Sequence, residues 1–133
     1  MLVLGRDALD QLVALAYDCY PLEACGLIAG PPGDDAALAF YPCRNAAESA
    51  RVYTLDPKDH LLAARDADDH EWEIVGVAHS HTHSEPYPSP TDVAQAPDPG
   101  WHYVIVGLKR DTPEVRSYRI VDGEIAEEPI RID

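Results

Sequence analysis

Three of the chain's six histidines fall at positions 79, 81 and 83 of the stretch VAHSHTHSEPYPSPTDV. On an extended strand His79 and His81 project from the same face, so two neutral imidazoles can converge on one cation. His83 would share that face only if the strand ran on, and Glu85-Pro86-Tyr87-Pro88 argues that it does not. Downstream, Ser89-Pro90-Thr91-Asp92 has the form of a capping box with proline at the first helical position. A helix starting there can also aim Ser89 and Asp92 back at a metal held by the histidines. Two nitrogens, one carboxylate oxygen and an open fourth position make the donor set of a catalytic zinc rather than of a closed structural one. Amide cleavage further needs a group that takes a proton from water and returns it to the leaving amine. Glu23 is the candidate, a carboxylate directly before the apolar run ACGLIAG, where a solvated acid has little reason to be. Each feature has a plain structural alternative: a polar loop for the histidines, a helix cap for Ser89 and Asp92, and a half-exposed helix-end acid for Glu23.

These residues need a scaffold. Leu9, Leu12, Val13, Ala16 and Tyr20 recur at helical spacing and predict a helix over 7–20, with Asp7 as N-cap and Pro21 after its end. ACGLIAG (24–30) and AALAFYPC (36–43), joined by the turn GPPGDD, predict a hairpin, and VYTL (52–55) a further short strand. Asp56-Pro57 is an N-cap followed by proline, so a second helix should run to about Asp69. EIVGVAHSH reads as a buried central strand with function at its tip. WHYVIVGL (101–108), EVRSYRIV (114–121) and EIAEEPIRI (124–132) read as three closing strands, the last two joined by Asp122-Gly123. The expected fold class is α/β or α+β, a mixed sheet flanked by helices.

With 133 residues, 46% hydrophobic and 26% charged, the chain fits one domain over 1–133 and can bury about two thirds of its unfolded surface. The net charge of −14 repels phosphate backbones and anionic headgroups, which argues against nucleic acid and membrane as partners. No basic leader with an apolar core opens the sequence and no long apolar run interrupts it, so the expected location is cytoplasmic. Cys19, Cys25 and Cys43 are odd in number and lack CxxC spacing, which suits free thiols in a reducing compartment. Cys25 could act as a nucleophile beside histidines, but its apolar strand favours a buried structural thiol.

Together, Glu23, His79-x-His81, seven residues, Ser89, two residues and Asp92 fill every position of E…H-x-H-x(7)-S-x(2)-D. The chain thereby resembles the JAMM, or MPN-plus, metalloproteases. The likeness extends through ExCGLIxG, RNAAESARVYTLDP and GVAHSHTH, and is greatest to compact bacterial Mec-like members. It implies a cytidine-deaminase-like fold, one Zn2+ per chain on His79, His81 and Asp92, Glu23 as acid/base on the zinc-bound water, and Ser89 steadying the oxyanion. It also implies a substrate: a small ubiquitin-like, ThiS-like sulfur-carrier protein whose Gly-Gly tail bears an amino acid, cysteine foremost, joined by an amide. Thr82 stands where many members have proline, and His83 lies outside the general motif. Two other readings compete: a zinc hydrolase of small amides or ubiquitin-like conjugates, and a non-catalytic MPN scaffold, which the full ligand set disfavours. The sequence leaves the oligomeric state open, a homodimer included.

Overall fold

A computed structural model describes residues 1–133. Its elements, in chain order, are β1 (Leu2–Leu4), α1 (Arg6–Cys19), β2 (Cys25–Gly30), β3 (Ala36–Ala37), β4 (Ala39–Cys43), α2 (Pro57–Asp69), β5 (Glu73–His81), α3 (Pro90–Ala94), β6 (His102–Gly107), β7 (Glu114–Val121), β8 (Glu124–Glu128) and β9 (Ile130–Ile132). Six strands form the main sheet in the order β4-β2-β5-β6-β7-β8, and β3-β1-β9 form a small second sheet. Within the main sheet only β5 and β6 pair in parallel, His79 beside Ile105 and His81 beside Gly107.

Apolar residues cover both faces of the main sheet. On one, Leu12 and Ala16 of α1 and Leu2 and Leu4 of β1 pack on Ile28, Phe40, Ala78, Val104 and Val106. On the other, Ala63 of α2 packs with Leu27, Val77, Tyr103, Ile105 and Tyr118. A β-bulge lies opposite Ile28 and Ala29: Gly76 pairs with the first and Ile74 with the second, so Val75 is the extra residue. Beyond it Val77, His79 and His81 share the α2 face, while Ala78 faces α1. At Gly76 a Cβ would sit 2.0 Å from the His102 carbonyl oxygen, so only glycine permits this approach of β5 to β6.

The mixed sheet with flanking helices is as expected, and no helix is long and apolar enough to cross a membrane. Asp56 caps α2 by accepting from the amides of Lys58 and Asp59, and the Asp122-Gly123 turn has φ of +51° and +78°. Four local expectations need correction. Gly5, not Asp7, is the N-cap of α1, because β1 runs straight into the helix and leaves one joint residue. The segment 36–43 is divided at Leu38: Ala36–Ala37 pair with β1 and Ala39–Cys43 with β2. Likewise 124–132 is divided at Pro129, and its last part pairs in parallel with β1. Residues 52–55 are not a strand; Leu55 makes one bridge with Asn45, whose side chain takes up the amide of Thr54 and the carbonyl of Val52.

Candidate active site

β5 delivers His79 and His81, both buried, to the C-terminal end of the parallel pair. There α3 begins with the expected capping box: Ser89 Oγ accepts from the Asp92 amide, and Asp92 Oδ2 accepts from the Ser89 amide at 2.9 Å. The box turns the Asp92 carboxylate inward. Its Oδ2 lies 3.2 Å from His79 Nε2 and 3.0 Å from His81 Nε2, and the two nitrogens are 3.2 Å apart. Donors sharing one tetrahedral zinc at about 2.0–2.1 Å lie about 3.3 Å from one another, so the group has the right size and chemistry for that ion. His81 Nδ1 is 2.8 Å from the Glu85 carbonyl oxygen, which only accepts. Nδ1 therefore carries the proton, and the lone pair of Nε2 faces the cluster.

Several contacts fix the loop that supplies this carbonyl. Glu85 takes both guanidinium nitrogens of Arg110, at 2.8 and 2.6 Å, and Tyr118 donates its hydroxyl to the Pro86 carbonyl. His79 stacks on Tyr53 with ring centroids 4.4 Å apart. Burial lowers the pKa of His79 from its ordinary value. For Asp92 burial acts upward, but the bonds from His79 and His81 outweigh it and hold the carboxyl far below the usual range. A group of three electron-pair donors around a common point attracts a cation. One proton would satisfy a single pair, whereas a divalent metal would satisfy all three.

Glu23 precedes β2 and is buried, with Oε1 lacking a hydrogen-bond partner. Burial pushes its carboxyl up to about 7, with nearby Asp92 adding to the shift and His81 opposing it. Its backbone is held on both sides: its amide donates to the Ser49 carbonyl at 2.8 Å, and its carbonyl accepts Asn45 Nδ2 at 3.1 Å. Next to it, the Ala24 amide donates to Ser80 Oγ at 2.8 Å, and the Ser80 amide donates back to the Ala24 carbonyl at 3.0 Å. Glu23 is thereby locked to the H-x-H strand itself. A cleft of about 410 Å³ opens here, lined among others by Glu23, Arg51, His81, His83 and Ser89.

All five residues expected to carry chemistry thus converge. Cys25 does not join them as a nucleophile: its thiol is buried on β2, donates to the Cys43 carbonyl at 3.6 Å, and is pushed up to about 12 by burial first and the neighbouring Cys43 and Cys19 thiols second. His83 has left the strand, as expected, and its Nε2 lies 3.2 Å from the Tyr20 hydroxyl. Asn45, Ser80 and Tyr53 escaped sequence reasoning. Asn45 lies in RNAAESARVYTLDP, but an asparagine in a polar stretch carries no sign that its amide will reach three carbonyls.

Against known families, residues 5–121 match the model described as prokaryotic homologs of the JAB domain. The chain is 42% identical over 133 residues to a CysO-cysteine peptidase of Mycobacterium tuberculosis, covering 99% of this chain and 91% of the relative. It is 35% identical over 109 residues to a desampylase of Haloferax volcanii, covering 78% of each. The solution structure of protein DSY2949 from Desulfitobacterium hafniense superposes with a TM-score of 0.87 at 30% identity, over 100% of this chain and 93% of that one. Convergent motif, matching fold and full-length relatives agree, and the chain belongs to the prokaryotic JAB branch of the JAMM/MPN family.

Proposed function

We propose that this chain is a zinc-dependent peptidase that hydrolyses the amide joining the Gly-Gly tail of a small ubiquitin-like sulfur carrier to one attached amino acid, cysteine first among them. Peptidase activity of the JAMM type follows from the family and its named relatives; zinc, the tail and cysteine are the finer part. The observation that carries the reading is the meeting of His79, His81 and Asp92 at 3.0–3.2 Å beside a buried carboxylate with an unpartnered oxygen. The relative named CysO-cysteine peptidase supports the choice of leaving group.

His79, His81 and Asp92 would hold the ion. Zinc, when bound, acidifies water and polarises a carbonyl. Glu23, buried beside the ligand cluster with Oε1 unpartnered, takes a proton from the attacking water and hands it to the departing amine. Ser89 Oγ accepts from the Asp92 amide, which leaves its hydroxyl proton free to donate to the oxyanion developing on the scissile carbonyl. We place this chemistry in a single domain spanning 1–133 and, given three free cysteines, in the cytoplasm.

The test uses zinc-loaded protein and a sulfur carrier bearing one cysteine after Gly-Gly. Mass spectrometry should show loss of that residue, abolished by a chelator and unaffected by thiol alkylation. Faster cleavage of polyubiquitin would overturn the carrier reading, and activity surviving complete removal of zinc would overturn the metallopeptidase.

A further inference from the structure

Resting on that peptidase reading, we infer that Arg51 is a specificity residue that receives the free α-carboxylate of the amino acid being released. The chain has 24 acidic and 10 basic residues; Arg44, Lys109, Arg110, Arg116 and Arg119 each pair with a carboxylate, and Arg6, Arg51, Lys58, Arg65 and Arg131 do not. Arg51 has no carboxylate partner although it is outnumbered by acids, and it is the one arginine or lysine lining the cleft that holds Glu23, His81 and Ser89. A guanidinium left unpaired in the cleft that holds the candidate acid/base suits an anion that arrives with the substrate.

Arg51 is also positioned. Its amide donates to Ser49 Oγ at 3.0 Å, and the carbonyl of Ala50 accepts from Thr82 Oγ1 at 3.2 Å. Thr82 Oγ1 in turn lies 2.8 Å from His83 Nδ1, and His83 Nε2 lies 3.2 Å from the Tyr20 hydroxyl. Of the two residues that depart from the general motif, Thr82 thus ties the segment bearing Arg51 to the end of the strand bearing His81, and His83 contacts Thr82 and Tyr20. A proline at 82 would have no hydroxyl to offer Ala50.

The chemistry of the leaving group explains what the cation is for. An amino acid joined through its α-amine carries its carboxylate on the carbon next to the scissile nitrogen. That carboxylate must lie within a few ångströms of the proton transfer made by Glu23. A lysine side chain joined through its ε-amine brings no anion there. Arg51 would therefore favour release of a single terminal residue over cleavage of an isopeptide.

Two peptides test this, both ending in Gly-Gly-Xaa, one with a free terminal carboxylate and one with a terminal amide. The protein as isolated, zinc-loaded, should prefer the free acid by roughly tenfold to a hundredfold in kcat/KM, the range of a charge-assisted bond. In Arg51→Ala that ratio should fall close to one, chiefly through KM for the acid, with Arg51→Lys in between. Arg65→Ala, another arginine without an ion pair, should keep the ratio. Equal loss on both peptides in Arg51→Ala, or no preference in the unmutated protein, would overturn the assignment of Arg51 while leaving the peptidase standing. Failure to cleave either peptide would overturn both.

Discussion

Two buried polar clusters sit at opposite ends of the parallel pair β5–β6 in the main sheet, and they are built on opposite terms. At the start of β6, His102 is 1% exposed, with Nδ1 2.7 Å from Glu128 Oε2 and Nε2 3.0 Å from Asp35 Oδ1. Glu128 Oε2 also accepts from Ser117 Oγ at 2.8 Å, and Oε1 lies 3.5 Å from the N-terminal amine. Every charge there has a partner of opposite sign or a donor. About 16 Å away along the strands, the cluster of His79, His81, Asp92 and Glu23 brings acceptors together and leaves two buried atoms unpartnered, Glu23 Oε1 and His79 Nδ1. A buried atom without a partner costs about 1–3 kcal/mol, so the second cluster is retained at the expense of stability and the first contributes to it. Both contain histidine and carboxylate; completeness of partnering separates scaffold from site.

The contrast can be broken most forcefully at the site. Replacing His79 and His81 together with alanine should eliminate stoichiometric zinc, read by metal analysis. Glu23→Gln should keep the zinc and lower turnover by at least about a hundredfold, the usual range for loss of a general acid/base. Zinc retained in full by the double variant would remove the proposed ligands, and near-normal turnover in Glu23→Gln would move the proton to some other group.

The opposite pattern belongs to the other cluster. Glu128→Ala leaves His102, Ser117 and the N-terminus without their shared partner, and removing one member of a buried pair costs about 3–5 kcal/mol. Denaturant unfolding should register that loss while zinc content and kcat/KM stay as before. A fall in activity at full zinc occupancy would show that the two ends are coupled.

The finest contrast is in pH. The carboxyl of Glu23 is raised from 4.5 to about 7 in the folded chain, so the native state binds its proton more tightly than the unfolded state does. Stability from this group is therefore highest below the unfolded value and falls as pH rises from about 4.5 through 7. At 1.36 kcal/mol per pKa unit the full effect is at most about 3 kcal/mol. Metal-free Glu23→Gln should accordingly be more stable than the parent at pH 8 and indistinguishable from it at pH 5. An equal difference at both pH values would mean that Glu23 is not the group responsible.

How far the sequence reveals this arrangement depends on the range of the interactions. The helix at 57–69, the capping box at Ser89 and the strand ending in His81 were legible because caps and side-chain alternation act over a few residues. β1 was not, and β9 was legible only as the end of a longer strand: three-residue strands have no periodicity to show, and these exist because Leu2–Leu4 and Ile130–Ile132, from opposite ends of the chain, meet. The stretch 52–55 has strand-like composition, yet an asparagine side chain meets its polar needs. In the site, ligands and acid/base could be found by spacing. The groups that lock them, Asn45 and Ser80, could not, because their roles depend on contacts made across 22 and 56 residues of sequence.

The bulge at Val75 also sets a rule for rebuilding this site elsewhere. It acts as a parity switch: residues before it and after it obey opposite odd-even conventions for which side of the sheet they face. A graft of the H-x-H segment onto a straight strand, aligned by residues upstream of the bulge, would therefore present Ala78 and Ser80 to the cleft and turn both imidazoles toward α1. Deleting Val75, the extra residue, would by contrast straighten β5 and leave Ile74, Val77, His79 and His81 on the face they already occupy. The segment 73–81 is portable either with its bulge or, to a straight strand, without Val75.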